Sequence, residues 1–230
     1  MATPKIKVVI PALNEEDAIG GVVRSVIEHV DTVILADNGS VDQTTKVAKD
    51  AGALTVSVPK AGYGRACLAG IKAAGEYDIL VFMDGDAADD PDDLPALLAP
   101  IISGDAAFVL GSRLTGNVDQ GALTLPQRFG NNLACFLMRI FWKSRFTDLG
   151  PFRAITKEAL ESLNMQAPTF GWTVEMQARI LKQKIPYTEI PVHYKNRIGK
   201  SKISGTVSGV ILAGWYIIST IFIEAMRRSK

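Results

Sequence analysis

Cysteine and histidine are scarce in this chain. Only Cys67 and Cys135 occur, far apart and with no second pair. That excludes a disulfide framework and a cysteine-based zinc site, and it fits a reducing compartment. His29 and His193 are too few for a histidine-rich metal centre. Charge of one sign is missing too. The 25 Lys and Arg residues against 24 Asp and Glu leave a net charge of +1, without the basic excess of a nucleic-acid binder; no nucleic-acid partner is expected. No internal repeat or low-complexity tract is visible. The opening stretch, MATPKIKVVIPALNEE, breaks its apolar run at a turn, too early for a secretory h-region, so no signal peptide is expected. What the chain does have is apolar content, 47% hydrophobic against 21% charged over 230 residues. That suffices for one large α/β domain, or one domain with an appendage.

The first half alternates between two periodicities. Short β-branched or apolar runs at Ile6–Ile10, Thr32–Ala36, Leu54–Val58, Ile79–Met83 and Ala107–Leu110 read as buried strands. Between them, Ala18–His29, Val41–Ala51, Gly64–Ala74 and Asp92–Ile102 read as helices, with Ser40 or Asp42 capping the second and Asp90-Pro91 opening the fourth. Further on, Pro126–Phe141, Lys157–Leu163 and Trp172–Gln183 read as helices, and Phe152–Ile155 and Tyr187–Pro191 as strands. Such alternation predicts a Rossmann-like α/β fold, a mostly parallel sheet with helices on both faces. Ligands of such sheets bind beyond the carboxyl ends of the strands. The segments there are PALNEE, DNGSVD, PKAGYG, DGDAADD and GSR, all polar and turn-prone.

Asp84-Gly85-Asp86 places two carboxylates around a glycine at a strand end. Hard oxygen ligands in that arrangement suit Mg²⁺ or Mn²⁺, which bind through one or two carboxylates plus substrate phosphates. Asp89 and Asp90 fit better as helix caps, where acids suit the helix dipole. Asp37-Asn38-Gly39-Ser40 reads either as a turn or as a base- or ribose-binding loop. The stretch GYGRA, Gly62 to Ala66, is neither a Walker A loop nor a dinucleotide fingerprint.

In this order and spacing, VVIPALNEE, ADNGSVDQT, KAGYGRACLAGI, VFMDGDAADDP and GSR resemble the family 2 glycosyltransferases of GT-A fold. RFGNNLACFLMRIF, TDLGPFRAI, FGWTVEMQARIL and EIPVHYKNRIGKSKISGT resemble the branch with dolichyl-phosphate mannose synthase and bacterial polyprenyl-phosphate glycosyltransferases. The resemblance implies that Pro11, Ala12, Asn14 and Glu15 line the nucleotide pocket, Asp37 meets the base, and Gly62 and Gly64 border the nucleotide. It implies that Asp84 and Asp86 hold a divalent metal on the diphosphate, while Arg113 and Arg128 offer guanidinium groups to phosphate. Asp148, Trp172 and Glu175 would face sugar and acceptor. Arg197, Lys200, Ser201 and Lys202 would form a loop closing on phosphate. The sequence departs from the mannose-synthase pattern in DNGS for DDGS, in Gly150-Pro151, and in lacking histidines after DGD.

The activity so implied is inverting transfer of a sugar from a UDP- or GDP-linked donor to a polyprenyl (dolichyl or undecaprenyl) phosphate. Alternatives are a hydroxyl acceptor, with Glu175 or Asp148 as general base, a sugar nucleotidyltransferase, and a non-catalytic module that keeps the fold. The nucleotidyltransferase would want a Gly-rich loop with Arg where PALNEE stands. From Ile203 to Ile223 no residue is charged, and Lys200, Lys202, Arg227, Arg228 and Lys230 flank that stretch. Gly, Ser and Thr dilute it, so a helix on a membrane surface or packed at a protein interface, as in a homodimer, is expected over a span, with a buried core helix as the next alternative. The expected division is a glycosyltransferase domain over 1–202 and an apolar C-terminal helix over 203–230, the whole being cytoplasmic and peripheral at the cytoplasmic membrane face.

Overall fold

The computed structural model describes residues 3–199 and 207–227. Strands β1 (Ile6–Ala12), β2 (Thr32–Asp37), β3 (Leu54–Ser57) and β4 (Ile79–Phe82) alternate with helices α1 (Glu16–Ile27), α2 (Thr44–Asp50) and α3 (Tyr63–Ala74). A 3₁₀ turn (Pro91–Asp93) leads into α4 (Leu94–Ile102), β5 (Phe108–Ser112) and α5 (Leu125–Trp142). Then follow β6 (Arg153–Thr156), α6 (Lys157–Leu163), α7 (Trp172–Gln183), β7 (Tyr187–Pro191) and α8 (Val207–Met226).

All seven strands join one sheet, in the order β3-β2-β1-β4-β6-β5-β7. Strand β6 runs antiparallel to both neighbours, and the other pairings are parallel. The expected α/β class with a mostly parallel sheet therefore holds. The second half completes the same sheet, because β6 inserts between β4 and β5. Successive residues of β1 point to opposite faces, as strand geometry requires. Val8 and Ile10 pack with Ile19, Val22 and Val23 of α1 and with Leu94 and Leu97 of α4. Val9 packs on the other face with Cys67 of α3 and the layer that holds Phe82, Met138 and Trp172. Gly70 lets α3 lie close on β1, since a Cβ there would stand 2.3 Å from a Val9 methyl.

Local chemistry sets the ends of the helices. The Asp90 carboxylate accepts the Asp92 N–H at 3.2 Å, the expected cap, but the 3₁₀ turn delays α4 to Leu94. Thr124 and Gln127 form a reciprocal capping box before α5. Helix α2 starts three residues later than its apolar pattern suggested. Val41 is 92% exposed, and its N–H donates to Asn14 Oδ1 at 2.9 Å. Asp42 then turns the chain by accepting from the Thr44 N–H at 2.9 Å.

Helix α8 is long and apolar enough, over Gly209–Met226, to cross a membrane by length and composition. It nevertheless packs along α5 and α7. Ile221 and Glu224 are buried there, and the Glu224 carboxylate meets Arg179 at 3.0 Å and Lys182 at 3.3 Å. Burial pulls this carboxyl upward, but the two cations outweigh it and hold it below its ordinary value.

Candidate active site

The carboxyl ends of β1, β2 and β4 open into a cleft of about 750 Å³, counting its mouth. Pro11, Ala12, Glu15, Asp84, Asp86 and Arg197 line it, all singled out from sequence. Its floor is built by cross-loop hydrogen bonds. The Asn14 N–H donates to Ser40 Oγ at 2.9 Å and the Glu15 N–H to Thr44 Oγ1 at 2.8 Å. Asn14 takes the left-handed conformation (φ 54°) that lets the β1–α1 loop turn onto the β2–α2 loop. Asn14 thus staples two loops rather than lining the pocket.

Asp84, Asp86 and Asp89 lie in one turn after β4. The Asp84 N–H donates to Asp89 Oδ2 at 3.0 Å, and the Ala88 N–H to Asp86 Oδ1 at 3.0 Å. Burial, then the charges of Asp86 and Asp89, push the Asp84 carboxyl well above the usual range, with Arg197 and Arg113 opposing. Burial likewise raises Asp89 to about 7. Asp89 Oδ1 is buried without a hydrogen-bond partner among the described residues. Three carboxyl groups crowded into one turn fit a divalent cation. The described residues hold no group of three Asp, Glu, His or Cys side chains able to hold an ion by themselves; Mg²⁺ and Mn²⁺ sites of this kind use one or two carboxylates together with substrate phosphates.

The basic loop folds back over this turn. The Lys195 N–H donates to the Ala88 carbonyl at 2.8 Å, and the Ile198 N–H to the Asp86 carbonyl at 2.9 Å. Arg197 Nη2 thereby reaches Asp86 Oδ2 at 3.0 Å and Glu15 Oε1 at 3.1 Å. Lys200, Ser201 and Lys202 lie outside the described residues.

Several expected site residues do structural work instead. Arg113 and Asp148 form a two-pronged pair, Nε to Oδ2 and Nη2 to Oδ1 both at 2.8 Å. The Arg113 and Leu149 N–H groups also donate to Asp148, at 2.8 and 2.7 Å. Asp148 is fully buried. Burial pulls its carboxyl upward, but the Arg113 guanidinium and these donors hold it below the usual value. The Arg113 guanidinium stacks over Tyr194, 5.0 Å from the ring centre. In this arrangement the Asp148 carboxylate and the Arg113 guanidinium are engaged with each other, and neither lines the cleft.

Trp172 is fully buried, edge-on to Phe82 at 4.7 Å between ring centres, and belongs to the core. Glu175 is buried too. Its Oε2 accepts the Gln166 and Ala167 N–H groups at 3.0 and 2.7 Å, and its Oε1 meets Arg179 at 2.6 Å. The loop so held presses on α3. A Cβ on Gly62 would stand 2.4 Å from the Pro168 carbonyl oxygen, and one on Gly64 2.0 Å from that of Ala167. These glycines make room for the backbone of Ala167 and Pro168. Asp37 accepts the Ser40 N–H at 3.0 Å and makes the turn reading good. Arg128 is exposed on α5, outside the cleft lining.

Sequence reasoning missed Asn38, Tyr63 and Phe170 on the cleft wall. Asn38 and Tyr63 sit inside motifs already singled out. Asn38 Oδ1 accepts the Gly62 N–H at 2.6 Å, joining the β2 end to α3. Phe170 opens the FGWTVEMQARIL stretch, in which Trp172 and Glu175 stood out.

The family model described as glycosyl transferase family 2 matches residues 7–163. The chain is a family 2 glycosyltransferase. An uncharacterized glycosyltransferase of Mycobacterium tuberculosis is 33% identical to it over 225 residues, covering 95% of this chain and 100% of the relative. The UDP-N-acetylglucosamine–dolichyl-phosphate N-acetylglucosaminyltransferase of Methanococcus voltae is 29% identical over 216 residues, covering 84% and 86%. Among solved structures, glucosyl-3-phosphoglycerate synthase of Mycobacterium tuberculosis, in complex with Mn²⁺, UDP and phosphoglyceric acid, matches with a TM-score of 0.80 at 24% identity. That match covers 99% of this chain and 80% of the other, and it shows the shared GT-A-like fold. In this glycosyltransferase the loops after β1, β2 and β4 thus form the wall that carries the acids.

Proposed function

We propose that this glycosyltransferase moves a sugar, with inversion, from a UDP- or GDP-linked donor to a polyprenyl phosphate at the cytoplasmic face of a membrane. One observation carries the choice of acceptor. The two carboxylates placed to deprotonate a hydroxyl are both consumed, Asp148 by Arg113 and Glu175 by the 166–167 backbone and Arg179. A phosphate acceptor is already an anion at neutral pH and needs no such base. The dolichyl-phosphate specificity named for the Methanococcus relative supports the same reading.

Asp84 and Asp86 would hold Mg²⁺ or Mn²⁺, which when bound neutralises charge growing on the departing diphosphate. Glu15, Asn38 and Tyr63 line the same cleft, where they orient the nucleoside. Arg197 stands across the diphosphate position as a fixed positive group, and preorganised charge of this kind stabilises a transition state without rearrangement. The attacking phosphate oxygen forms the new bond to the anomeric carbon as the bond to the nucleoside diphosphate breaks on the opposite face.

The test is release of UDP or GDP from a panel of nucleotide sugars with Mn²⁺, with and without a short polyprenyl phosphate. Turnover that requires the lipid phosphate is the expected result. Turnover that ignores it while a hydroxyl compound accelerates release would move the acceptor to the alternative class.

A further inference from the structure

Among the described residues, sixteen large apolar side chains are exposed, and twelve of them lie on α5 and α8. On α5, Leu125, Phe129, Leu133, Phe136 and Ile140 follow one another at spacings of three or four, which puts them on one face. On α8, Ile211, Trp215, Phe222 and Met226 stand four, seven and four residues apart, which also keeps them on one face. Phe141 of α5 meets Phe222 of α8 edge-on at 5.6 Å, so the two stripes are continuous. Apolar exposure on this scale marks an interaction surface.

Charge selects the partner. Helix α5 contains no acidic residue, and its exposed charges are Arg128 and Arg139, followed by Lys143 and Arg145. The one acid of α8, Glu224, is buried and paired with Arg179. Arg227 at its end is half-exposed and already pairs with Glu224 at 3.0 Å, so the free cations are those of α5 and the residues after it. A face of aromatic and aliphatic side chains whose two helices expose cations and no acid matches an anionic bilayer, where apolar groups enter the acyl boundary and cations meet headgroups. A second copy fits worse. A two-fold interface sets the same patch against itself, and this patch would bring cations together with no exposed acid to answer them.

We infer that α5 and α8 together form a platform that seats the enzyme on an anionic lipid bilayer, with α8 lying along the surface rather than crossing it. The inference deepens the membrane-face part of the proposed function and rests on that part, not on the acceptor, since headgroup charge and apolar depth suffice. The cleft lies at the edge of this platform: Phe170 of its wall stands 6.5 Å, ring to ring, from Tyr216 of α8.

The experiment is sedimentation of the full chain with vesicles that lack polyprenyl phosphate. One set is phosphatidylcholine alone, and the other contains about 30% phosphatidylglycerol, enough for a strong negative surface. Binding to the anionic set that weakens with salt is expected. Phe129→Ser with Phe136→Ser, on α5 alone, should lower the partition coefficient by about a hundredfold or more. Arg139→Gln with Lys143→Gln should lower it by roughly thirtyfold on anionic vesicles only. Brominated lipid should quench the fluorescence of the otherwise unaltered chain, and Trp215→Phe should remove the larger part of that quenching, half-buried Trp142 at the end of α5 supplying the rest; this tests the surface whether or not the serine variant folds. Failure to bind anionic vesicles, wild-type binding by the α5 variant, or a solution dimer dissolved by that variant would each overturn the inference. Loss of transfer with intact vesicle binding would count against the acceptor reading alone.

Discussion

Replacing Asp148 by Asn separates a structural carboxylate from a catalytic one. The side chain is fully buried and accepts four N–H groups, two of them from the Arg113 guanidinium. Asparagine keeps the volume but removes the charge, and it turns an NH₂ toward those donors. Removing one partner of a buried ion pair costs about 3–5 kcal/mol, because the other charge is left uncompensated. For a domain of this size, about 2–4 °C of Tm per kcal/mol puts the fall at roughly 6–20 °C. The pH dependence has a definite sign. The folded-state value of Asp148 lies below its ordinary one, so its contribution is present above the unfolded value of about 3.9 and is lost as pH falls through the folded value. The assay is thermal unfolding by circular dichroism from pH 3 to 7, with nucleotide release measured well below the lowered Tm. The variant should melt early at pH 7, lose part of the wild type's acid sensitivity, and still turn over donor where it is folded. Exchanging both partners for apolar residues, Arg113→Met with Asp148→Leu, should cost less than either single change. An Asn variant that melts with the wild type yet releases no nucleotide would refute the reasoning and return Asp148 to the chemistry.

Asp86→Asn should abolish transfer while leaving Tm within a few degrees, and titration calorimetry should show weakened uptake of Mn²⁺ with UDP. Wild-type activity after chelation should vanish and return with Mg²⁺ or Mn²⁺; unaffected turnover would remove the metal from the proposal. Glu175→Gln should release the 166–167 backbone, seen as faster amide exchange at Gln166 and Ala167 and a raised KM, with kcat changed less. His193 bridges Asp119 at 3.0 Å and Asp90 at 3.2 Å. The Asp119 hydrogen bond, then that of Asp90 against some desolvation, raises its value above the ordinary one. Its contribution is therefore complete below the unfolded value of about 6.5 and fades as pH rises through the folded value. Urea midpoints should fall from pH 6 to 8 in the wild type and fall less in His193→Gln.

What could be read from sequence was whatever depends on neighbours along the chain. Buried runs such as Ile79–Phe82, the Asp90 cap and the full extents of α6, α7 and β7 were legible, because periodicity and capping act within a few residues. The insertion of β6 between β4 and β5 was not. Four residues, Arg153–Thr156, carry no mark of direction, and the βα alternation pointed to parallel neighbours. The late start of α2 was hidden for a similar reason, since the bond that holds Val41 out of the helix comes from Asn14. At the site, the acids at the end of β4 stood out because charge beyond an apolar strand is conspicuous. The fates of Asp148 and Glu175 were not legible, because their partners are fixed by the fold. Gly62 and Gly64 were noticed as places of close approach, but the backbone of Ala167 and Pro168 that approaches them was not legible.

The place of β6 also governs the order in which the sheet can be made. Ile79 pairs with Thr156 and Phe82 with Arg153, so β4 waits for more than seventy residues of chain before its second edge is covered. Until then the half-sheet of β1 to β4 ends in Ile-Leu-Val-Phe, a strand buried on both faces in the finished molecule. Such an edge is a template for pairing with another chain, and contacts this distant in sequence form slowly. A nascent or truncated chain that stops before Arg153 is thus the species most exposed to misassembly, and the wall that carries the acids at the end of β4 is complete only after that edge has closed.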